Sequence, residues 1–210
     1  MKKLIGCWLI GLLSCHVQAE LSETESLLAE MAFVQDNQTL LDAAIKEGKD
    51  RALLCGSCHG KDGNSTRDYI PNLASQNAAY LFKQFELFAN GTRKDYVMEK
   101  LAKNLTRQDR VNIALYFSQM EVKPRPQPVA ASIDGEQTYK GLCFTCHGNT
   151  GEGNGMYPRI AGQPYEYLKK TLLGFKGAND DRKNSPMAIV IQNLNEQQLQ
   201  DVSAYIAAMP

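Results

Sequence analysis

The sequence predicts an all-α protein of two tandem helical domains, each folded around a large group that the polypeptide does not itself supply. Three observations lead there. Much of the first half recurs in the second. Apolar residues recur at helical spacing, and no segment keeps the alternation of a half-buried strand for more than four residues. Each half has only about 80 residues, a size at which an apolar core alone is marginal.

Residues 1–19 run from Lys2 and Lys3 through an apolar stretch, Leu4 to Leu13, to Val17, Gln18 and Ala19. This is the layout of a secretory signal peptide cleaved after Ala19. The apolar stretch is about half of the ~20 residues that cross a bilayer, so a membrane anchor is the weaker reading. Leu12, Leu13, Ser14 and Cys15 also resemble a lipoprotein signal in which Cys15 would carry lipid. That ranks second, because Leu13 stands where a smaller residue is usual. Cleavage would remove Cys7, Cys15 and His16, leaving Cys55, Cys58, Cys143, Cys146, His59 and His147 in the mature chain. A formal net charge of zero and 8% aromatic residues give no electrostatic case for a nucleic-acid partner.

Residues 20–41 read as an N-terminal helical extension without a counterpart in the second half. The first repeat then spans 42–120 and the second 133–210. Between them EVKPRPQPVAAS, 121–132, is a linker whose alternate prolines favour an extended, semi-rigid chain. IPNLASQNAAYLFKQFELFANG at 70–91 pairs with YPRIAGQPYEYLKKTLLGFKG at 157–177, and VMEKLAKNLTRQDRVNIALYFSQM at 97–120 with PMAIVIQNLNEQQLQDVSAYIAAM at 186–209. Each final helix carries an i, i+3, i+4, i+7 stripe for one buried face: Ile113, Tyr116, Phe117 and Met120, then Val202, Tyr205, Ile206 and Met209. Thr106 and Asn195 are the expected N-caps, with Asp109 and Gln198 completing capping boxes.

The chemistry lies in LCGSCHG at 54–60 and LCFTCHG at 142–148. CxxCH is the attachment sequence of c-type haem: both thiols bond the porphyrin, and the adjoining histidine becomes an iron ligand. Cysteines three apart share one face of a helical turn, so the next residue can present its imidazole to the tethered iron. Two haem c groups are therefore expected, on Cys55 and Cys58 and on Cys143 and Cys146, with His59 and His147 on the irons. A thioredoxin-like dithiol would sit near a βαβ pattern, which is absent. A zinc site drawing on all four sulfurs would have to join pairs 85 residues apart and leave both histidines over. Disulfides between such close cysteines would stabilise little.

The mature chain has no further histidine for a sixth ligand. Met98 follows His59 by 39 residues and Met187 follows His147 by 40; they align without a gap, and each precedes a capped terminal helix. They are the expected ligands, since histidine–methionine ligation suits electron transfer. Pro71 and Pro158, 12 and 11 residues past their histidines, are expected to turn the chain back and to accept the other ring N–H of each imidazole.

These motifs, the proline before a tyrosine-containing helix, and FANGTRKDYVM and FKGANDDRKNSPM before an amphipathic last helix resemble the dihaem class I cytochromes of the cytochrome c4 type. The resemblance covers about residues 43 to 210. It implies two cytochrome c folds facing each other with haem edges and propionates near their interface, in the periplasm or on its membrane face. It also implies redox-protein partners: membrane respiratory complexes, with single electrons passing from quinol oxidation toward a terminal oxidase. Val97 precedes Met98 where Pro186 precedes Met187, so the first methionine loop is expected to be the looser. Arg93 reads as a solvated cation, with a propionate partner as the second reading. Two other functions compete with the carrier: a haem electron-acceptor subunit of a flavin or quinone dehydrogenase, and a small dihaem enzyme acting on peroxide or thiosulfate. The enzyme ranks last, because the mature chain has no unassigned cysteine or histidine for such chemistry.

Overall fold

The structure, a computed structural model, describes residues 23–155, 157–177 and 185–210. The expected signal peptide, its expected cleavage after Ala19 and the alternative of lipid on Cys15 lie outside these residues. The chain divides into two compact units, Met1–Asp42 and Ala43–Pro210, and both repeats belong to the second. The described residues are helical or irregular, with no strand among them. None of their helices is long and apolar enough to cross a membrane.

The extension is helical over 23–35 (α1), and α2 (Gln38–Arg51) follows after a two-residue break. Asn37 caps α2 by accepting from Leu40 N at 3.2 Å. No breaker interrupts α2 at Leu41. A 3-10 turn (Ala52–Leu54) leads into α3 (Gly56–His59). Then come α4 (Ala78–Ala89), α5 (Tyr96–Lys103) and α6 (Arg107–Ser118). The second repeat gives the same series: α7 (Ile133–Leu142), α8 (Phe144–His147), α9 (Tyr165–Lys176), α10 (Pro186–Val190) and α11 (Glu196–Ala207).

Both expected capping boxes form, Thr106 with Asp109 and Asn195 with Gln198. The predicted stripes hold at Ile113, Tyr116, Phe117, Val202 and Ile206, which are buried. Two details differ. Met120 and Met209 lie beyond the ends of α6 and α11 and, like Tyr205, are only partly buried. And α6 is buried on every side from Arg110 to Phe117, rather than on one face, because α4 covers it from one direction and the end of α2 from another.

The crossings of α2 on α6 and of α7 on α11 depend on glycine. A Cβ on Gly48 would stand 2.1 Å from the Asn112 carbonyl oxygen, and one on Gly135 would stand 2.2 Å from that of Asp201. The obstacle is backbone, so the helices would have to separate. Gly135→Ala is expected to cost about 1–3 kcal/mol, the range for overpacking a core, read as a lower unfolding midpoint of the holoprotein. An unchanged midpoint would show that the crossing has room to spare.

The linker carries no regular secondary structure and is fastened to both repeats. Lys123 N donates to Asn64 Oδ1 at 2.9 Å, Arg125 pairs with Asp68 at 3.1 Å, and Gln127 Nε2 reaches Ala207 O at 2.7 Å. Asp68 also accepts from the start of α9: its carbonyl takes Tyr167 N at 2.9 Å and its carboxylate Glu166 N at 3.2 Å. Pro164, the residue in the capping position of that helix, makes no side-chain cap, so the cap comes from the other repeat.

Candidate haem sites

Each CxxCH motif forms a single helical turn. His59 N donates to Cys55 O at 2.9 Å and Cys58 N to the same oxygen at 3.2 Å; the second repeat repeats this at 3.0 and 3.2 Å on Cys143 O. A glycine then ends each turn at positive φ, 82° at Gly60 and 83° at Gly148, a conformation that side chains with a Cβ rarely adopt. The turn sets two sulfurs and an imidazole within one short helix, as tethering a macrocycle beside its axial ligand demands.

The four cysteines are free thiols, so no disulfide closes either pair. Burial, reinforced by the neighbouring Cys146, pushes Cys143 up to about 11, and burial also raises Cys55. A redox-active dithiol needs the opposite, a thiol pKa lowered toward neutrality. Among the described residues no three His, Cys, Asp or Glu side chains converge to hold a metal ion.

His59 and His147 are buried, at 9% and 5% exposure. His59 Nδ1 lies 2.9 Å from Pro71 O and His147 Nδ1 lies 3.0 Å from Pro158 O. A carbonyl can only accept, so the proton sits on Nδ1 and the lone pair on Nε2. Burial lowers both pKa values and the proline carbonyls oppose it; at His59, Asp95 adds to that opposition and Arg93 to the lowering. Neutral imidazole with a fixed tautomer is the form that ligates a metal.

Each methionine opens a short helix. Asp95 caps α5 by accepting from Val97 N at 3.1 Å and Met98 N at 2.9 Å. Ser185 caps α10 through one bond, from Met187 N at 3.3 Å, with Pro186 in the first turn. The expected looseness of the first loop is therefore offset: a carboxylate with two backbone donors replaces the rigidity that proline gives the second. Met187 and Cys143 pack against one apolar cluster that includes Tyr139, Leu168, Leu172 and Ile191. In the first repeat α5 packs on α4. Free thiols in a helical turn, a buried neutral imidazole beside them and a thioether on a packed helix make a donor set that fits c-type haem.

Arg93 is not simply solvated. It donates to Gln84 Oε1 at 2.6 Å and to Tyr167 OH of the second repeat at 3.3 Å, with its guanidinium 4.5 Å from the centre of the Phe88 ring.

Sequence reasoning missed Arg110. It is buried and paired with Glu86, and its other nitrogen donates to Ala102 O at 2.7 Å and Leu105 O at 3.1 Å. It thus ties α5, which carries Met98, to α4 and α6. The aligned residue of the second repeat is Leu199, and there Lys176 of α9 donates to Leu194 O, the equivalent of Leu105 O. A charge at an aligned apolar position was the available signal. Arg110→Leu is expected to cost about 1–3 kcal/mol: Glu86 keeps Arg107 at 3.3 Å, but the carbonyls of Ala102 and Leu105 lose a donor. Arg110→Leu with Glu86→Leu should recover the ion pair's share of that in a double-mutant cycle of thermal unfolding. Strict additivity would show that the pair is not coupled.

The family model for cytochrome c matches residues 132–210. Cytochrome c4 of Azotobacter vinelandii is 36% identical over 194 residues, covering 80% of this chain and 89% of its own. The thiosulfate dehydrogenase electron acceptor of Thiomonas intermedia is 32% identical over 176 residues, covering 76% of this chain and 80% of its own. Among solved structures, reduced recombinant cytochrome c4 from Pseudomonas stutzeri superposes with a TM-score of 0.69 at 28% identity, over 79% of this chain and 98% of that one.

Proposed function

Since the chain belongs to the cytochrome c4 family of dihaem class I c-type cytochromes, we propose that it relays single electrons in the periplasm, from a quinol-oxidising complex toward a terminal oxidase. Two covalently bound haem c groups and redox-protein partners come with the family. We assign Cys55 and Cys58, and Cys143 and Cys146, as the residues that would hold the two haems covalently, and His59 with Met98 and His147 with Met187 as those that would ligate the two irons. Held there, each haem would supply a one-electron couple, and no substrate would have to reach metal.

The polypeptide's share is positioning. The carbonyls of Pro71 and Pro158 hold the Nδ1 protons, the caps Asp95 and Ser185 fix where each methionine helix begins, and burial keeps the imidazoles neutral. The observation that carries the reading is the duplication of this arrangement. Two matched histidine–carbonyl pairs provide two one-electron sites, and neither repeat offers a further histidine or cysteine for substrate chemistry.

The second reading, an electron-acceptor subunit for a dehydrogenase, is favoured by the likeness to the Thiomonas intermedia protein. Reduced protein should be rapidly reoxidised by membranes containing a terminal oxidase, at a rate that falls with ionic strength if local charge steers docking. Reduction by purified thiosulfate dehydrogenase with thiosulfate, and no exchange with membranes, would favour the second reading. Fast turnover of peroxide or thiosulfate by the isolated protein would overturn both.

A further inference from the structure

Among the bonds between the two repeats, one glutamine from each is used in the same way. Gln163 Oε1 accepts from Asn72 N at 2.9 Å, and its Nε2 donates to Asn72 O at 2.9 Å. Reciprocally, Gln76 Oε1 accepts from Arg159 N at 2.8 Å, and its Nε2 donates to Arg159 O at 2.7 Å. Gln76 aligns with Gln163, and Asn72 with Arg159. Both glutamines are 5% exposed.

Asn72 N and Pro71 O belong to one peptide group, and so do Arg159 N and Pro158 O. A chain of hydrogen bonds therefore runs from His59 Nδ1–H, through the Pro71–Asn72 peptide, to Gln163 of the other repeat. Its counterpart runs from His147 through the Pro158–Arg159 peptide to Gln76. An acceptor on a peptide N–H shifts negative charge to the carbonyl oxygen, which then holds a donor more strongly. A stronger hold on Nδ1–H makes Nε2 a better donor to metal and favours the oxidised ion.

Each glutamine is itself held in place. The residue before it donates to its own final helix, Ser75 N to Phe117 O and Gly162 N to Ile206 O, both at 3.1 Å. Gly162 takes φ of 66° there, and Ser75 takes 53°, left-handed for a residue with a side chain. A serine persists in that conformation only where its surroundings over-determine it.

We propose that Gln76 and Gln163 are positioning residues that act crosswise: Gln76 tunes the iron ligated by His147, and Gln163 the iron ligated by His59. Each site's potential is thereby set partly by the opposite repeat. This rests on the ligation proposed above.

The test uses the holoprotein and a potentiometric titration that resolves both sites. Each site is assigned to its repeat by the methionine methyl resonance that Met98→Ala removes. Gln76→Leu should move the potential of the second site positive and leave the first in place; Gln163→Leu should do the reverse. The exchange of the affected histidine Nδ1–H with solvent should quicken by less than about twofold, because its bond to the proline carbonyl remains and loses only the fraction that a neighbouring bond adds. Asn77→Ala removes another bond across the interface, from Asn77 Nδ2 to Tyr157 O at 2.8 Å, without touching either peptide, and should shift neither site.

If the leucine variants do not accumulate, Gln76→Met and Gln163→Met remove the acceptor with an unbranched side chain of nearly the same length. The shift keeps its positive sign and is larger at the opposite repeat. Equal shifts at both sites, a shift confined to the mutated repeat, or an Asn77→Ala effect as large as that of Gln76→Leu would overturn the proposal. Ferric wild-type protein without two hyperfine-shifted histidine ring N–H signals would instead overturn the ligation.

Discussion

Met187→Ala is expected to remove one haem's share of the ferric methionine–iron charge-transfer absorption and to let carbon monoxide bind one ferrous iron per molecule. Met98→Ala should take the other share. Both methionines sit in the first turn of a helix whose cap bonds their own backbone N–H, so the thioether is delivered from a fixed starting point. Loss of a thioether ligand should also lower the potential of that site, because methionine ligation raises it. Met120→Ala serves as the comparison: its aligned partner Met209 packs against the second repeat's apolar cluster, and the absorption should stay whole. If both Met98→Ala and Met187→Ala kept the full band and excluded carbon monoxide, the ligand assignment would be wrong.

The second large effect is on folding. Protein made without haem attachment should show no cooperative thermal transition by circular dichroism, because each repeat is too small to close a core on apolar side chains alone. Cys143 and Met187 both lie at the edge of the second repeat's apolar cluster rather than inside it, so the porphyrin would extend that cluster. Binding to the native state alone stabilises by mass action, and a covalent bond makes the gain permanent. Cys58→Ala and Cys146→Ala should each lower the yield of folded protein and disturb one repeat more than the other. A native-like, cooperative transition in the haem-free chain would refute this.

The repeat, the helices and the cap residues were legible because they depend on local spacing. Thr106 with Asp109 and Asn195 with Gln198 need only four consecutive residues. The pairing of each histidine with a proline carbonyl could be located because duplication showed which positions had been kept. What escaped was set by the chain meeting itself at long range. Gly48 and Gly135 look like ordinary helix interruptions until the crossing helix is seen 2.1 and 2.2 Å from the missing Cβ. Gln76 and Gln163 align in ASQ and AGQ, but nothing in either triplet says that the amide closes on the other repeat. Arg93 read as solvated because its partners, Gln84 and Tyr167, come from a helix of each repeat. Single-face burial of α6 failed for the same reason: periodicity counts polar positions, while Arg110 and Asn112 are buried with partners supplied from Glu86 and Glu47.

The fastened linker bears on the kinetics of a molecule that holds two electrons. Arg125 is bound to Asp68 of the first repeat and Gln127 to Ala207 of the second, so the span between the repeats is not a tether on which two bodies diffuse. Passage of an electron from one site to the other should be ungated: its rate should be indifferent to solvent viscosity and to protein concentration, because no hinge has to swing before it. Delivery to an external acceptor should slow in viscous solvent, since that step still waits on collision. The internal hop and the external hand-off can therefore be separated by adding glycerol alone.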